Sequence, residues 1–465
     1  MRFTIKNALT LVENSYETVN IRVEEGKITG ISPNLEVKGE EIDGENKLLL
    51  PGFFNAHTHS SEMWQRGIMS ILPLELWLAE LYDFAPLDPE KVYLSALGTA
   101  VETLLSGGTT VVDHLVLIPE QELETVGVAV KAYQEVGIRT VIAPLIQDQS
   151  LGSGIPSGES EQTHEPYFRS TQKTLEIMET VINKYHNPEA GIYVALAPTG
   201  IQLCSDRLFQ GCMELSDKYD LCRHSHLLET QAQQKLAQEK YGCSAVEHLH
   251  KLGYLDYRTS LAHCVWLSDR DIEILQETKS TVVHNPLSNL RLGSGIAPIL
   301  KYIQAGVNVS FGCDGASSND SQDLLEAIKI GSILHNTTDR DYQHWITPKE
   351  AVKMAAQGGA TGLNLHPELG SLEIGKKADL VLYDLTSLSL LPRTDPIGLL
   401  VLGRPSNAVH SAWVNGKQVV TNGKVTNVNL DQLRLELFTH SQWQTKRKSQ
   451  TVAEIENHYR TVMDL

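Results

Sequence analysis

Short apolar runs and longer helix-like stretches alternate through the middle of the chain. Eight apolar runs have the near-continuous hydrophobic pattern of buried parallel strands: PGFFNAHTH, TTVVDHLV, RTVIAPLI, GIYVALAP, LCRHSHLL, TSLAHCVWL, STVVHNP and VNVSFGCD. Helix-like stretches separate these runs, for example Glu90–Leu105, Glu122–Val136, Ser170–Tyr185, Asp206–Tyr219 and Asp323–Leu334. Eight such units predict a (β/α)₈ TIM-like barrel over residues 51–365, with an open doubly wound sheet as the alternative.

Both ends of the chain have a different pattern. Residues 1–50 contain short strand-like runs separated by turns, and similar runs return as ADLVLY, AVHSAWV and QVVTNGKV. Asn-Gly pairs at 415–416 and 422–423 predict hairpin turns. We therefore expect residues 1–50 and 366–465 to form one small β-sandwich domain, with a helical segment from Leu430. The Gly- and Ser-rich stretch Gln149–Glu165 is either a lid at the catalytic end of the barrel or a solvated insertion.

Composition and charge narrow the class of protein. Of the 465 residues, 41% are hydrophobic and 21% are charged, which is typical of a globular protein. The net charge of −18 argues against nucleic acid or an anionic membrane as a partner, because either needs a basic surface. No apolar run reaches the roughly 20 residues of a membrane helix, and the first residues lack the apolar core of a secretory signal. The six cysteines form no CxxC pair and indicate reduced thiols, so we expect a cytoplasmic enzyme.

Histidines and acidic residues cluster at the ends of four predicted strands. The first strand ends in His57-Thr58-His59, whose two imidazoles lie on the same side of a strand. The fifth ends in HSHLLE, the sixth in AHC and the eighth in GCDG. Because parallel strand ends meet at one mouth of a barrel, three imidazoles and one carboxylate there suit a divalent ion such as zinc. The alternative is a set of hydrogen-bonded core histidines and a helix-capping aspartate.

The same segments carry a family resemblance. PGFFNAHTH, HSHLLET, AHCVWL, HNPLSNLRLGSGIAP and GCDGASSND, in this order, resemble the metal-dependent amidohydrolase superfamily. The likeness is to its aminohydrolase and chlorohydrolase branch, which contains the adenosine-derivative, guanine, cytosine and triazine deaminases. GKKADLVLYD and VNGKQVVTNG resemble the β domain that this family builds from both chain ends. The resemblance covers nearly the whole chain and implies the fold predicted above.

The resemblance also implies a metal site with one ion. Its ligands would be His57, His59, His226 and Asp314, and the ion would be zinc, with iron as the alternative. The two-metal branches use a bridging carboxylated lysine at a strand end. The third and fourth strands end in AP and APT, without a lysine, which favours a single metal.

The implied chemistry is hydrolysis of a C–NH₂ or other non-peptide C–N bond with release of ammonia. A divalent ion lowers the pKa of its water towards about 7 and so supplies hydroxide at neutral pH. Glu229 would be the proton shuttle, His263 would hold and direct the hydroxide, and Asp314 would be both a ligand and the first proton acceptor. We also consider a chlorohydrolase or cyclic-amide hydrolase on the same fold, and a catalytically silent homologue that acts as a binding partner.

Substrate contacts are expected around the mouth of the barrel. The candidates are Trp64, Glu75, Trp77, His284, Asn289 and Ser318, with packing roles as the alternative, whereas His114 is expected to be structural. The sequence differs from deaminases of S-adenosylhomocysteine at Pro198-Thr199, where those relatives carry a histidine. Those that bind the homocysteine carboxylate also have arginines after the third strand, whereas this chain has none there before Arg169. We therefore expect a small neutral or cationic nitrogen heterocycle, or a guanidine-like compound. A homodimer is the expected assembly.

Overall fold

The computed structural model describes residues 2–12, 15–82, 84, 87–157, 169–441 and 449–465. These residues form a sheet built from both chain ends and a larger region of alternating strands and helices. Within the predicted lid or insertion Gln149–Glu165, residues 158–165 lie outside the described residues. None of the described helices is both long enough and apolar enough to span a membrane.

Nine strands from the two chain ends form one mixed sheet. They are β1 (Arg2–Val12), β2 (Ser15–Glu24), β3 (Lys27–Ser32), β4 (Glu40–Asp43), β5 (Lys47–Pro51), β16 (Leu380–Asp384), β17 (Val409–Val414), β18 (Lys417–Thr421) and β19 (Lys424–Val425). The order is β19-β18-β17-β16-β5-β1-β2-β3, with β4 beside β1. The antiparallel pair β5–β16 joins the two ends of the chain, with Leu50 opposite Val381.

This terminal sheet curves around a core of its own. Phe3 on β1 stacks on Trp413 of β17, with ring centroids 5.6 Å apart, although β5 and β16 lie between these strands in the sheet. Ile5, Ile21 and Leu382 belong to the same buried cluster. Burial of these apolar side chains stabilises the pairing of the two ends.

The middle of the chain contributes the parallel strands. They are β6 (Phe53–Thr58), β7 (Gly108–Asp113), β8 (Arg139–Ile142), β9 (Leu145–Ile146), β10 (Ile192–Val194), β11 (Ala197–Pro198), β12 (Arg223–Leu227), β13 (Thr259–His263), β14 (Thr281–His284) and β15 (Val309–Phe311). They pair in parallel as β6-β7-β8-β10, β9-β11 and β12-β13-β14-β15. Each of the eight predicted runs contains one or two of these strands, so the periodicity located all eight units.

Backbone hydrogen bonds also connect the parallel sheets to one another. The Asp314 amide, just after β15, donates to the His57 carbonyl of β6 at 2.9 Å. At the other edges, the His224 amide of β12 donates to the Leu196 carbonyl between β10 and β11, also at 2.9 Å. The result is a TIM-barrel-like α/β fold in which the carboxyl ends of the strands meet at one side.

Helices cover the outside of the parallel strands. They are α1 (Leu74–Tyr82), α2 (Pro89–Leu105), α3 (Glu122–Val136), α4 (Thr171–Tyr185), α5 (Asp206–Tyr219), α6 (Gln231–Tyr241), α7 (Ala245–Leu252), α8 (Asp269–Thr278), α9 (Pro286–Arg291), α10 (Ile299–Gln304), α11 (Leu324–Ile333), α12 (Pro348–Lys353), α13 (Gly359–Gly362), α14 (Pro396–Gly403), α15 (Leu430–His440) and α16 (Gln450–Val462). The helix predicted over Asp206–Tyr219 has these bounds because Ser205 caps its first turn and Asp220, in the left-handed region, ends it.

Candidate active site

Five polar side chains from four strands meet at the carboxyl side of the parallel strands. His57 lies on β6 and His59 directly after it, His226 lies near the end of β12, His263 ends β13, and Asp314 follows β15. All five are buried or nearly so. The structure therefore brings together the residues that the sequence placed at four separate strand ends.

The nitrogen and oxygen atoms at the centre of this cluster are spaced like the ligands of one small ion. The Nε2 atoms of His59 and His226 lie 3.2 Å apart. The Oδ1 atom of Asp314 lies 3.3 Å from His57 Nε2 and 3.5 Å from His59 Nε2. A tetrahedral zinc ion bound at about 2.0–2.1 Å places its ligand atoms about 3.3 Å apart, so the spacing fits such an ion.

One buried atom of the cluster lacks a partner that a metal would supply. The Nε2 atom of His57 is inaccessible to solvent and has no hydrogen-bond partner among the residues that the structure describes. Burial lowers the pKa of His57 well below its ordinary value, which keeps the imidazole neutral. A neutral imidazole nitrogen with a free lone pair is a metal ligand, and the donor set therefore fits a divalent cation.

Hydrogen bonds at the other ring nitrogens orient these histidines. Nδ1 of His59 donates to the carbonyl of His114 at 2.6 Å, and Nδ1 of His226 donates to the carbonyl of Thr199 at 2.7 Å. Nδ1 of His57 lies 2.7 Å from Nε2 of His224. Because each Nδ1 has a partner on the protein, each Nε2 lone pair is left to face the centre of the cluster.

Glu229 and His263 lie beside the cluster as a pair. Glu229 Oε2 is 3.5 Å from His263 Nε2, which in turn is 3.8 Å from Asp314 Oδ2. The Ser294 hydroxyl donates to Glu229 Oε1 at 3.0 Å, and His263 Nδ1 donates to Asn289 Oδ1 at 2.9 Å. Burial raises the pKa of Glu229 to about 7. At neutral pH this carboxyl group can therefore both give and take a proton.

The backbone at two of these positions is held in an uncommon conformation. His263 has φ of 73° and Asp314 has φ of 63°, both in the left-handed region that side chains other than glycine seldom adopt. Such strain persists only where the surrounding structure fixes it, and it concentrates at functional sites. At Asp314 the turn follows directly on the strand and directs the carboxylate towards the histidines.

A comparison with known proteins assigns the family. The family model described as "Amidohydrolase family" matches residues 48–419. This range contains all the parallel strands and part of the sheet that is built from both chain ends. The chain belongs to the amidohydrolase family. This confirms the resemblance inferred from the strand-end motifs, and the protein is a hydrolase of carbon–nitrogen bonds other than peptide bonds.

Curated relatives of this amidohydrolase are similar over almost their whole length. It is 32% identical over 450 residues to a 5-methylthioadenosine/S-adenosylhomocysteine deaminase of Caldanaerobacter subterraneus, covering 95% of this chain and 98% of that protein. It is 32% identical over 437 residues to a 5'-deoxyadenosine deaminase of Methanopyrus kandleri, covering 91% and 95%.

Among solved structures, the amidohydrolase is similar to an atrazine chlorohydrolase of Arthrobacter aurescens in complex with zinc. The TM-score is 0.85 at 25% identity, covering 94% of this chain and 99% of that one. An adenosine deaminase of Xanthomonas campestris with bound zinc has the same fold, with a TM-score of 0.83 at 23% identity and 98% of each chain covered.

The cluster of the amidohydrolase forms the floor of a cavity of about 450 Å³. His59, His226, His263, Asp314 and Glu229 line its floor. Its outer wall is mostly apolar and is formed by α1 and by the segments after β7, β9 and β11, including Trp77, Leu78, Leu81, Val116, Ile118 and Leu203. The floor can thus carry out polar chemistry while the outer wall excludes water.

Two of the six predicted substrate contacts, Trp77 and Ser318, line this cavity. The structure places the other four elsewhere. The Trp64 indole donates to the Lys91 carbonyl at 2.9 Å, and His284 is fully buried with its Nε2 3.2 Å from Nε2 of His335. Asn289 Oδ1 accepts a hydrogen bond from His263 Nδ1, which fixes the orientation of that imidazole.

Glu75, another predicted contact, lies behind the cavity wall. Its Oε1 accepts a hydrogen bond from the Thr230 hydroxyl at 2.5 Å, and Tyr459 of α16 also bonds to its carboxyl group. Burial raises the pKa of Glu75. Its carboxyl group therefore joins α1 to the residue after Glu229 and to the C-terminal helix.

Two histidines complete the environment of the floor. His114, expected to be structural, is buried with its Nε2 3.2 Å from the Ala197 carbonyl, and its ring stacks on His226. His57, His114 and His226 also lie close enough together to hold an ion. His224 continues the chain of hydrogen bonds from His57 to Ser260, whose Oγ is 2.7 Å from His224 Nδ1.

Glu62 lines the cavity but was not among the predicted site residues. Glu62 lies in the 3₁₀ turn Ser60–Gln65 and lines the cavity next to Gln65. Burial raises the pKa of its carboxyl group to about 7. The sequence signal that could have identified Glu62 is its position three residues after the HxH motif. A helical turn at that point brings its side chain back to the end of the strand.

Proposed function

We propose that this amidohydrolase is a metal-dependent aminohydrolase that removes an amino group from a small nitrogen-rich heterocycle as ammonia. The observation that carries the proposal is the pairing of Glu229, whose pKa burial raises to about 7, with His263 at 3.5 Å. Both side chains border a cluster whose spacing fits one divalent ion. A proton carrier beside a metal site is what hydrolysis of an amidine-like carbon requires.

The ligands that we propose for a single zinc ion are His57, His59, His226 and Asp314. The distances of 3.2–3.5 Å between their donor atoms support the set, as does the buried, unpartnered Nε2 of His57. Zinc in the similar chlorohydrolase structure supports the choice of metal. When bound, such an ion lowers the pKa of a water molecule towards about 7.

The protein's own residues would then move the protons. Asn289 holds His263 in the tautomer that leaves Nε2 unprotonated and facing the floor, where it can accept a hydrogen bond from the attacking water. Protonated Glu229 gives its proton to the ring nitrogen of the C=N–C group as the water oxygen bonds to carbon, and Asp314 takes the first proton of that water. Glu229 then takes the remaining water proton and passes it to the amino group, so the C–N bond breaks and ammonia leaves. The proton on Asp314 returns to Glu229, so one water is consumed for each ammonia released.

Adenine derivatives are the first substrates to test. The two curated relatives are deaminases of 5-methylthioadenosine and S-adenosylhomocysteine and of 5'-deoxyadenosine. The outer cavity wall is largely apolar, and its Arg169 is paired with Glu122 at 2.6 Å, which favours a substituent without charge over an amino-acid tail. We therefore propose 5'-deoxyadenosine and 5-methylthioadenosine, together with aminotriazines, ahead of S-adenosylhomocysteine.

Dechlorination is the second candidate activity. It is favoured by the apolar wall and by the TM-score of 0.85 to an atrazine chlorohydrolase. In that reaction the same water would displace chloride from a ring carbon, and Glu229 would again protonate the ring nitrogen. The two activities differ only in the leaving group.

The test is product release from the metal-loaded protein over a panel of adenine nucleosides, aminotriazines and chlorotriazines. We expect ammonia from at least one aminated ring, and release that is roughly 10²–10⁴-fold slower from the Glu229→Gln variant. Chloride without ammonia would make the protein a chlorohydrolase. Neither product from any member of the panel would overturn the proposal.

We further infer a closed eight-stranded (β/α)₈ barrel over residues 51–365 and a β-sandwich of residues 1–50 and 366–465. The hydrogen bonds that join the parallel sheets at their edges, and the stacking of Phe3 on Trp413, support this description. The cytoplasmic location and the homodimer remain predictions. Sedimentation of the purified protein tests the dimer.

A further inference from the structure

Three of the four proposed metal ligands are histidines, and their Nδ1 atoms do not have the same kind of partner. Nδ1 of His59 and Nδ1 of His226 each donate to a backbone carbonyl, at 2.6 and 2.7 Å. A carbonyl oxygen only accepts, so these two bonds fix the ring proton on Nδ1. The partner of His57 Nδ1 is instead another imidazole nitrogen, Nε2 of His224, at 2.7 Å. An imidazole nitrogen either donates or accepts, so this contact alone does not fix the proton of His57.

A hydroxyl group continues the hydrogen bonding beyond His224. His224 on β12 lies opposite Ser260 on β13 in the parallel register, and its Nδ1 is 2.7 Å from the Ser260 hydroxyl oxygen. The same oxygen is 3.5 Å from the carbonyl oxygen of Arg223, to which the hydroxyl donates. His57, His224 and Ser260 are each at most 2% exposed, so bulk water does not compete for these bonds.

A metal at His57 Nε2 determines the direction of this hydrogen-bond chain. A ligand nitrogen has no proton, so the ring proton of neutral His57 lies on Nδ1 and is donated to His224 Nε2. Neutral His224 then has its own proton on Nδ1 and donates it to the Ser260 hydroxyl oxygen. The Arg223 carbonyl is in reach of the hydroxyl proton. In the reverse direction His57 Nε2 would be protonated and could not bind a metal.

Loss of either partner would release His57 from this order. Without the Ser260 hydroxyl, the Nδ1–H of His224 would be a buried donor that lacks this acceptor, which is costly. The other tautomer of His224, with its proton on Nε2, avoids that cost and donates to His57 Nδ1. The proton of His57 then moves to Nε2, where it competes with the metal. Without the His224 imidazole, the Nδ1–H of His57 loses its own acceptor.

We infer that His224 and Ser260 are positioning residues of the metal site, which hold His57 in the tautomer and orientation that present Nε2 to the ion. This inference rests on the proposed function through the ligand role of His57. Neither residue is among the described residues that line the cavity, so their effect passes through His57 and not through the substrate. Removal of a partner of this kind typically costs 10–100-fold in metal affinity.

The first test measures zinc affinity by competition with a chelator, without any substrate. His224→Leu should bind zinc at least about tenfold more weakly than the wild type. Ser260→Ala removes one hydroxyl and no ring, and it should bind zinc roughly 3–10-fold more weakly. This smaller change keeps the test valid if His224→Leu does not fold. Wild-type affinity in Ser260→Ala would overturn the inference.

Two buried side chains outside the hydrogen-bond chain provide matched controls. Ser310 on β15 is fully buried, and its hydroxyl has no hydrogen-bond partner among the described residues. His335 is also fully buried, with its Nε2 3.2 Å from Nε2 of His284. Ser310→Ala and His335→Leu should keep the wild-type zinc affinity. Equal weakening in Ser310→Ala and Ser260→Ala would show that lost packing is the cause, and the inference would fail.

The second test observes the ring protons by NMR of the zinc-loaded protein labelled with ¹⁵N at histidine. Couplings between the ring nitrogens and the carbon-bound ring protons distinguish the two neutral tautomers, and the His224 signals are those missing from His224→Leu. We expect His224 to be protonated on Nδ1 in the wild type and to gain the Nε2-protonated form in Ser260→Ala. A wild-type His224 protonated on Nε2 would contradict the inferred direction.

Both tests are independent of turnover, so their failure is distinct from that of the proposed function. If the zinc affinities follow the expected order but no ammonia is released, the aminohydrolase proposal fails and the role of His224 and Ser260 stands. If ammonia is released while His224→Leu and Ser260→Ala bind zinc as tightly as the wild type, the reverse holds.

Discussion

The floor and the outer wall of the cavity are built by opposite means. On the floor, polar side chains at strand ends are buried and anchored through a second atom, as His263 is by Asn289 and Glu229 by Ser294. The outer wall is formed largely by apolar side chains of α1 and of loops, such as Leu81 and Ile118. The contrast teaches that the floor determines the reaction, whereas the wall determines which molecule reaches it.

The two regions should also differ in how they respond to substitution. Anchored polar groups act as a unit, so the loss of one of them disables the site. Apolar wall positions act independently of one another and contribute equally to ground-state and transition-state binding, so each change is smaller and affects KM. The following predictions test this difference in order of expected effect.

The largest effect is expected on the floor at Asp314 and His226. Asp314→Ala and His226→Ala each remove one proposed ligand and should lose most of the bound zinc together with all measurable turnover. Elemental analysis of purified protein checks the metal content, and His344→Ala, at an exposed histidine, is the control. Full zinc retention by His226→Ala would remove that residue from the ligand set.

The next effect is expected at Glu229, which lies on the floor but is not a proposed ligand. Glu229→Gln keeps the shape of the side chain and the hydrogen bond from Ser294 but cannot carry a proton. We expect unchanged zinc and Tm and a loss of roughly 10²–10⁴-fold in kcat. Loss of zinc in this variant would make the glutamate a ligand, and near-normal turnover would refute the proposed mechanism.

A smaller effect is expected on the outer wall. Leu81→Ser makes the wall more polar, and we expect KM for 5-methylthioadenosine to rise by roughly 3–10-fold with kcat almost unchanged. Steady-state kinetics measure both constants, with Leu435→Ser at an exposed leucine as the control. A drop in kcat of the size seen for Glu229→Gln would show that floor and wall do not have separate roles.

The smallest effect is expected behind the wall at Glu75. Burial raises the pKa of this carboxyl group above its ordinary 4.5, so folding favours the protonated form. This contribution to stability is complete below pH 4.5 and is lost as the pH rises through the folded pKa. The Glu75→Gln side chain is always neutral and still accepts a hydrogen bond from Thr230. The Tm of this variant minus that of the wild type should therefore increase by about 1–3 °C from pH 4 to pH 8. A gap in Tm that does not change with pH would contradict the assigned environment.

The sequence was a good guide to the strands and to the floor for the same reason. Buried parallel strands must be apolar and must end where the chain turns, so the polar residue after each run, such as His263 or Asp314, has a predictable position. Parallel order then brings those ends together without further information. The ends of helix α5 (Asp206–Tyr219) could also be predicted from the local sequence, because a serine N-cap and a residue in the left-handed conformation define them.

The outer wall could not be predicted in this way. Glu75 and Trp77 are two residues apart on α1, and only the packing of that helix against α16 decides that one faces Tyr459 and the other the cavity. Glu62 was missed because its position depends on Gly315, which lies 253 residues further along the chain. Side chains on loops and surface helices take their direction from such long-range contacts, and no local pattern records them.

The most direct test of the central claim is a zinc titration of protein freed of metal by a chelator. Ammonia release from the best substrate of the panel is measured at each ratio of zinc to chain. We predict no activity without metal, a linear rise, and a plateau at one zinc ion per chain, because one set of four ligands forms the floor. Full activity in the metal-free protein, or a plateau at two ions per chain, would contradict the account.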